Sequence, residues 1–283
     1  MNDLLFSRFV SVELEGVDGF RKMFVHDKDR LFRIDFEVNF DGAMTVKLFN
    51  VSSNTASMCE PKKDKNGKIS TFPKLKLVVG YGSDRSMIGV GDVVQFNYLQ
   101  SGADRVLDVK ASPKVNFMNE IAIPKNYSGS YKSILKSILS DNGIDYYEIL
   151  GDSSFSDNLE QFTVTGTLGD SIDKICKVLK SNKYFEMGKL IIASKDAKSN
   201  LDAEFVSLSR LTGLIGSPEK KNLSYSVKSL LNYRIWKNRA IEILFRDLIT
   251  GKSEPKKFKV LSGKHSGSSW TSNFYTEFEC KPV

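Results

Sequence analysis

The chain has 283 residues, of which 41% are hydrophobic and 27% are charged. This balance is typical of folded proteins with room for two or three compact domains, and it excludes extensive disorder. No apolar run approaches the roughly 20 residues that a membrane helix needs, and the first residues lack a signal-peptide pattern. We therefore expect synthesis in a cytoplasm and no stable membrane insertion.

Cysteine usage and charge narrow the possibilities further. The three cysteines are far apart, which excludes a disulfide framework and a CxxC metal site, so we expect reduced structural thiols at Cys59, Cys176 and Cys280. The net charge of +7 is modest, although it would favour nucleic acid or an acidic partner. Its densest points, 62–65 and 256–257, are interpreted as solvated loops.

Residues 1–120 have the pattern of short strands separated by turns. Apolar and polar residues alternate in each strand, and Asp41-Gly42 offers a tight turn between the first two, which predicts a hairpin. Strands at this spacing without helices between them indicate a barrel or a sandwich. The predicted strands are 32–39, 45–49, 74–82 and 88–96.

The segment 58–72 is rich in Lys, Asp, Asn and Gly and is predicted to be an exposed, mobile loop. Asp64, Asn66 and Gly67 resemble part of a calcium loop. Lysines occupy the intervening positions and the distal Glu ligand is missing, so no metal site is predicted there.

Near residue 126 the apolar period changes from two to that of a helix. Apolar residues between Tyr131 and Leu139 share one face, Ser130 is a suitable N-cap and Asn142-Gly143 a suitable stop. An extended segment is predicted to follow at 146–149.

The same order of helix and strand returns further along the chain. A second helix is predicted to start at Asp170 or Ser171 and to end at Ser181-Asn182, with Cys176 on its apolar face. A hairpin or strand is predicted at 184–192. Residues 121–200 therefore form a small, weakly duplicated α/β segment.

Strands resume after residue 200, at 241–245, 258–261 and 274–280, with a polar hairpin loop predicted at 248–257. The predicted fold class is β-rich α+β. Its domains are a first β-barrel domain at 1–120, an α/β insert domain at 121–200 and a second β-barrel domain at 201–283.

The residues show no recognisable catalytic constellation, so we predict no catalytic, cofactor-binding or metal site and no enzyme activity. The two histidines, His26 and His265, are far apart, and His265 is interpreted as a strand-end or turn residue. The glycine pairs at 80–82 and 89–91 neither open a helix nor precede Gly-Lys-Ser/Thr, which excludes a phosphate loop.

Single-strand nucleic-acid binding is an alternative function. Small barrels bind single strands on exposed aromatic faces flanked by basic residues. Such a face would use Tyr81, Phe96, Tyr98 and Phe117 with Arg85, Arg105 and Lys110. Aromatic residues in alternating strands more often belong to the core, which disfavours this interpretation.

The last eighty residues carry several motifs in a recognisable order. These are Gly-Leu-Ile-Gly-Ser-Pro at 213–218, Leu-Leu-Asn-Tyr at 230–233, Lys-Val-x-x-x-x-His-x-Gly at 259–267, and Trp270-Thr271. This order resembles the C-terminal barrel of baseplate hub proteins from contractile phage tails and related injection machines. Tyr233 stands where many of those proteins have Pro.

Shorter motifs extend the resemblance to the first strands. Lys-Leu-Phe-Asn at 47–50, Val-Gly-Tyr at 79–81 and Gly91-Asp92 look like elements of the first hub barrel. The usual aliphatic-Phe-x-Gly turn of the family is replaced by Met-Ile-Gly-Val-Gly at 87–91, which is consistent with a distant branch such as a non-contractile tail or a bacteriocin.

The resemblance implies a structural protein with two tail-tube-like β-barrel domains and a small α/β insert. Three chains with two barrels each would present six similar domains to a six-fold tail tube and a three-fold surface to a central spike. Implied partners are two further copies of the chain, the tail tube protein, the spike protein and the tape-measure protein, with DNA passing through the lumen without specific binding. The implied location is the host bacterial cytoplasm and then a virion tail or phage-like particle.

Two rival functions remain beside single-strand binding. A tail-tube subunit would need only one barrel, and a tail-associated cell-wall hydrolase would need the catalytic residues that are missing. Trp236 and Trp270 are the largest aromatic residues of the second barrel region, and we expect loss of Trp270 to impair folding or assembly more than loss of either histidine.

Overall fold

The computed structural model describes residues 7–113, 121–151, 153–194, 206–246 and 253–283. The chain divides into two compact units. Unit 1 combines Met1–Pro113 with Ser199–Val283, and unit 2 is Lys114–Lys198. The chain therefore leaves unit 1, builds unit 2, and returns to complete unit 1.

Residues 7–113, the described portion of the first part of unit 1, contain nine strands and a one-turn helix. In chain order they are β1 (Arg8–Glu15), β2 (Arg21–His26), β3 (Ile34–Asn39), β4 (Met44–Phe49), α1 (Ser53–Ser57), β5 (Lys62–Lys63), β6 (Ile69–Thr71), β7 (Lys74–Tyr81), β8 (Asp84–Ser101) and β9 (Asp104–Ser112).

Unit 2 alternates strands with helices and includes a 3₁₀ turn at Ser153–Ser156. Its elements are β10 (Asn126–Ser130), α2 (Tyr131–Asp141), β11 (Tyr147–Leu150), β12 (Asn158–Thr163), α3 (Leu168–Val178), β13 (Ser181–Glu186) and β14 (Lys189–Ser194).

In the second part of unit 1, residues 206–246 and 253–283 are described and contain six strands. They are β15 (Val206–Leu208), β16 (Leu214–Lys221), β17 (Ser224–Leu230), β18 (Ala240–Arg246), β19 (Ser253–Ser268) and β20 (Phe274–Pro282).

Thirteen strands of unit 1 form one sheet that runs through both parts of the chain. Its order is β16-β17-β20-β19-β3-β4-β9-β8-β7-β1-β2, with β18 beside the first half of β19 and β15 beside β18. The two parts meet where β3 pairs antiparallel with β19, residues 35–39 against 264–268. The segments predicted as separate domains thus share one sheet, and their closure into two barrels stays a prediction.

Each part of unit 1 contains the same set of paired strands, which we call the first and second repeats. In the first repeat the hairpin β3-β4 pairs through β4 with β9, which continues to β8 and β7. In the second, the hairpin β16-β17 pairs through β17 with β20, which continues to β19 and β18. Chain order is also the same, a hairpin followed by a three-stranded meander.

Bulges at equivalent positions allow the two repeats to be aligned residue by residue. The longest strand of each repeat has a bulge one residue after a valine, between Val93 and Gln95 in β8 and between Val260 and Ser262 in β19. A bulge leaves one extra residue unpaired and increases the local twist. The strand β16 has an additional shift between Ile215 and Glu219 that β3 lacks.

The predicted hairpin at 32–49 is confirmed as β3-β4, and the strands at 74–82 and 88–96 as β7 and part of β8. The segment 58–72 is largely exposed as predicted, except that Cys59 is fully buried, and it is wrong to describe the segment only as a loop. It contains the small hairpin β5-β6, whose turn is held by the Asp64 carboxylate accepting from the Asn66 and Lys68 amides at 2.8 and 2.9 Å.

In unit 2 the first helix begins and ends as predicted. The Ser130 hydroxyl accepts from the Ser133 amide at 3.2 Å, and Gly143 has a φ of 72° just after the Asn142 cap. Residues 147–150, most of them in the predicted extended segment, form β11. Apolar side chains of both helices fill one buried cluster with strand residues such as Leu190 and Ile192.

The second helix differs from the prediction at both ends. It begins at Leu168, two or three residues earlier, because Thr167 is the N-cap and forms a reciprocal capping box with Asp170. Residues 181–182 already belong to β13, which forms the predicted hairpin with β14. Cys176 is buried, as its position on the apolar face predicted.

The polar loop predicted at 248–257 is wrong for residues 253–257, which belong to β19 and pair with β18. The other residues of the predicted loop, 248–252, lie outside the described part of the chain. The predicted strands at 241–245, 258–261 and 274–280 lie within β18, β19 and β20.

Aromatic rings from both repeats share one core where β3 meets β19. Trp236 is fully buried and stacks on Phe40 with centroids 5.0 Å apart, and the His265 ring lies 5.1 Å from Trp236. His265 is therefore a core residue three positions before the end of β19, paired with a strand on each side, and its interpretation as a turn residue is wrong. Trp270 is 62% exposed in the β19-β20 turn, so we no longer expect its replacement to impair folding. We expect the large loss of stability for Trp236 instead, because that side chain is fully buried.

The glycines of the Lys-Val-x-x-x-x-His-x-Gly segment are required by this core. A Cβ atom at Gly267 would lie 2.6 to 2.8 Å from atoms of the Phe274 and Phe36 rings. At Gly263 it would lie 2.6 Å from both the Glu277 carbonyl oxygen and the Phe40 ring. Since real Cβ atoms do not approach so closely, these positions let the β19 backbone lie directly on the aromatic rings.

Candidate functional site

One face of the sheet between β16 and β8 carries many charged side chains, and we call it the charged face. Alternate residues of these eight strands point to it, while the intervening residues face the core. Its members include Asp35, Glu37, Lys47, Gln95, Asn97, Asp108, Lys110, Glu219, Lys228, Lys264, Ser266, Glu277 and Glu279.

Equivalent ion pairs occupy equivalent places in the two repeats. Lys47 of β4 lies 3.8 Å from Asp108 of β9, and Lys228 of β17 lies 2.9 Å from Glu277 of β20. Both lysines are directly opposite their acids in register, in the short sequences Thr-Val-Lys at 45–47 and Ser-Val-Lys at 226–228. Sequence reasoning missed this pair, although the repeated tripeptide was a detectable signal.

A third ion pair crosses the junction between the repeats. The Lys264 ammonium donates to the Glu37 carboxylate at 2.9 Å, which raises the pKa of Lys264. Lys221 and Glu279 form another pair at 2.6 Å beside β16. Lysines of the charged face are thus largely engaged by carboxylates, so the face offers few free positive charges.

A shallow crevice of about 600 Å³ lies on the charged face at the junction. It is open to solvent and lined mostly by polar side chains, among them Asp35, Glu37, Lys47, Lys228, Asn273 and Tyr275. Small-molecule sites are usually more enclosed and mostly apolar. The crevice therefore has the character of a surface groove.

The buried titratable groups do not form a nucleophile and base pair. Burial lowers the pKa of His265 to about 3, and its Nδ1 lies 2.9 Å from the Thr276 hydroxyl. Burial raises the pKa of Cys59 and Cys280 to about 12, so these thiols stay protonated. His26 is on β2, where its Nδ1 is 3.1 Å from the Phe32 carbonyl oxygen.

Within the part of the chain that the structure describes, no group of three or more His, Cys, Asp or Glu side chains could hold a metal ion. No helix among the same residues is long and apolar enough to cross a membrane.

Tyr81 and Tyr98, two aromatic residues of the nucleic-acid alternative that the structure describes, are engaged by other parts of unit 1. Tyr81 contacts Phe274 at 5.4 Å between centroids, and burial raises its pKa to about 12. The Tyr98 hydroxyl donates to the Val51 carbonyl at 2.7 Å, and Arg85 lies over the Phe9 ring. Phe117 lies outside the described residues. The contacts of Tyr81 and Tyr98 indicate that these rings pack within the protein and are not presented for stacking on bases.

Tyr233, which departs from the resembled motif, has a clear role in joining the repeats. Its hydroxyl and the Arg234 guanidinium both donate to the Asp84 carboxylate, with the arginine contacts at 2.9 and 3.0 Å. These hydrogen bonds lower the pKa of Asp84. Tyr233 and Arg234 of the second repeat are thereby bonded to the first residue of β8 in the first repeat.

Two edges of the charged face are open among the described residues. The strand β16 pairs only with β17, and residues 95–101 of β8 pair only with β9. Leu99 is 62% exposed on this part of β8, where it lies directly opposite Val106 of β9. Unpaired strand edges of this kind are templates for pairing with another chain.

Neither a protein-family profile nor a curated protein sequence matches the chain. Several solved structures are similar in fold. A 43 kDa tail protein of prophage MuSo2 from Shewanella oneidensis is 9% identical with a TM-score of 0.58, over 96% of this chain and 98% of that one. A tail protein from Neisseria meningitidis MC58 is 12% identical, also with a TM-score of 0.58, over 96% of both chains.

An E. coli type VI secretion component, described as structurally similar to T4 bacteriophage tail proteins, is 9% identical with a TM-score of 0.56. The match covers 89% of this chain and 73% of that one. At such identities the likeness concerns the fold, and the chain has the fold of phage tail and type VI secretion proteins.

Proposed function

We propose that the chain is the structural baseplate hub of a phage tail or phage-like injection machine, with no catalytic role. It would form a trimer that adapts a six-fold tail tube to a three-fold central spike. The observation that carries this proposal is the duplicated strand set in one compact unit. Three chains with two repeats each provide six similar sets of strands around one axis.

The differences between the repeats support the three-fold side of the adaptor. The first repeat has 24 residues between β4 and β7, including α1 and the lysine-rich hairpin β5-β6, whereas only nine residues separate β17 from β18. Both counts follow from the element bounds, 50–73 and 231–239. A ring of six repeats would carry this extra structure at every second position, which is a three-fold pattern.

The charged face is proposed to line the lumen of this ring. Its lysines are paired with carboxylates, as in Lys47–Asp108, Lys228–Glu277 and Lys264–Glu37. Since DNA affinity depends on lysines and arginines that are free to neutralise phosphates, such a surface would let DNA pass without binding it. The proposed partners are the tail tube, spike and tape-measure proteins. The chain would meet them in the host cytoplasm during assembly and remain with them in the finished particle.

Native mass measurement of the purified protein, alone and with its tube or spike partners, would test this function. We expect a trimer when partners are present, and three-fold density at the hub position in electron micrographs of assembled particles. A six-fold ring of this chain in the particle would contradict the proposal, and so would a stable monomer with tight single-strand DNA binding.

A further inference from the structure

The chain contains, inside itself, one junction between a first and a second repeat. At this junction β3 pairs antiparallel with the second half of β19, and Glu37 lies directly opposite Ser266. In the other repeat, β16 corresponds to β3, and the second half of β8 corresponds to the second half of β19. The strand β16 and this half of β8 are the open edges of the charged face.

We infer that the interface between copies of this chain repeats the internal junction, with β16 of one copy pairing antiparallel with residues 97–101 of β8 in the next. This inference rests on the proposed trimer and identifies the surface and the register that would close it. Each copy offers one edge of each type, so contacts of this kind run head to tail. Three copies close into a ring if the internal and external junctions together turn the sheet by about 120° per copy.

The register follows from the correspondence between the repeats. Glu37 is opposite Thr45, and Glu219 is opposite the corresponding Ser226, so Glu219 takes the place of Glu37. In the other strand, Ser266 is opposite Tyr275 and Leu99 is opposite the corresponding Val106. Glu219 of one copy should therefore lie opposite Leu99 of the next.

Two neighbouring pairs follow from the same correspondence. At the internal junction Val38 is opposite His265, so at the external junction we expect the corresponding Lys220 to be opposite Tyr98. Likewise, Asn39 is opposite Lys264, so we expect Lys221 to be opposite Asn97. These residues of β16 are exposed, as expected for an edge that has no partner in the isolated chain.

The external junction should be weaker than the internal one. Residues 216–218 shift the register of β16, and Pro218 has no N–H to donate, so only 219–221 form a straight paired run. Lysine also replaces the buried Val38. Prolines, bulges and lysines protect an edge from indiscriminate pairing. We therefore expect the ring to form at high protein concentration or beside its neighbours, and to dissociate on dilution.

Disulfide trapping tests the register directly. The double variant Glu219→Cys with Leu99→Cys should give a covalent trimer on a non-reducing gel, because directly opposite Cβ atoms lie about 4.5 to 5.5 Å apart. The matched control, Glu219→Cys with Gln95→Cys, places the second thiol on the same face four residues away, roughly 13 Å along the strand. It should remain uncrosslinked, and Cys59, Cys176 and Cys280 are buried.

A charge test on the same pair needs no oxidation. Leu99→Lys should strengthen assembly and Leu99→Glu should weaken it, each by roughly two- to five-fold per junction, because the introduced charge would face Glu219 of the next copy. Within its own chain Leu99 is opposite the uncharged Val106 but diagonal to Asp104 and Asp108. Unfolding of the dilute monomer should therefore be measured for both variants, and any difference in monomer stability subtracted. Sedimentation at several protein concentrations would measure the assembly constants.

The outcomes separate this inference from the proposed function. Trimers that form without the 219–99 crosslink, or that respond equally to both Leu99 variants, would refute the interface and leave the hub function standing. A chain that stays monomeric with its partners present would refute both. Crosslinked trimers from the 219–99 pair and none from the 219–95 pair would support the register.

Discussion

The two repeats of unit 1 have the same strand pairing but different edges and connections. Both have a bulge after a valine in their longest strand and a lysine opposite an acid, Lys47–Asp108 in the first and Lys228–Glu277 in the second. They differ at the flanking strand, because β1 is antiparallel to β7 whereas β15 is parallel to β18. The strand pairing is therefore common to the two repeats, whereas their flanking strands differ.

Replacing the tryptophan of the second repeat should have the largest effect on stability. Trp236→Ala should lower the free energy of unfolding by roughly 3 to 5 kcal/mol, because the ring is fully buried against Phe40 and His265. Trp270→Ala is the matched control and should change it by less than roughly 0.5 kcal/mol, since that ring is exposed. Guanidinium unfolding monitored by circular dichroism would measure both, and equal losses would contradict the core described above.

The junction glycine should respond differently from its counterpart in the first repeat. Gly267→Ala should cost roughly 1 to 3 kcal/mol, because the new methyl group would overlap the Phe36 and Phe274 rings. The corresponding residue of β8 is Gln100, which lies on the open edge and is exposed. Gln100→Ala should leave the thermal midpoint of the isolated chain nearly unchanged. A neutral Gly267→Ala would mean that the junction is loosely packed.

Acid sensitivity should distinguish His265 from Tyr98, which holds the corresponding position in the first repeat. The folded chain keeps His265 neutral down to about pH 3, whereas the unfolded chain takes up the proton near the ordinary pKa of 6.5. Protons therefore favour the unfolded state below about pH 6.5, and stability should fall by about 2 kcal/mol by pH 5.

His265→Gln should remove most of this loss between pH 7 and 5, whatever its effect at neutral pH. Urea unfolding at each pH would give the slope for both proteins. The carboxylates whose pKa is lowered, such as Asp84 and Asp141, lose their contribution only at more acidic pH. An unchanged slope in the variant would show that His265 is not the sensitive group.

The smallest expected effects concern the equivalent ion pairs of the charged face. Double-mutant cycles should give about 1 kcal/mol or less for Lys228–Glu277 and a smaller value for Lys47–Asp108, because its atoms are 3.8 Å apart against 2.9 Å. Both values should shrink in high salt. A larger energy for Lys47–Asp108 would contradict the ranking by distance.

Local patterns in the sequence were sufficient for many individual elements. The Ser130 cap and the Gly143 stop predicted α2, and the alternation at 32–49 predicted β3-β4, because both signals depend on neighbours along the chain. The start of α3 was misplaced since Thr167, Asp170 and Ser171 are all possible caps, and only the reciprocal contact between Thr167 and Asp170 decides among them.

By itself, then, the sequence determined the strand and helix periods, the caps, the polar and apolar faces and the reduced, buried cysteines. Only the tertiary structure decided that β3 pairs with β19, that His265 is buried while Trp270 is exposed, and that β16 and the end of β8 are left open. Alternation tells which side chains share a face, but every strand of a sheet has two edges. Which edge is paired depends on contacts between residues that are more than two hundred positions apart.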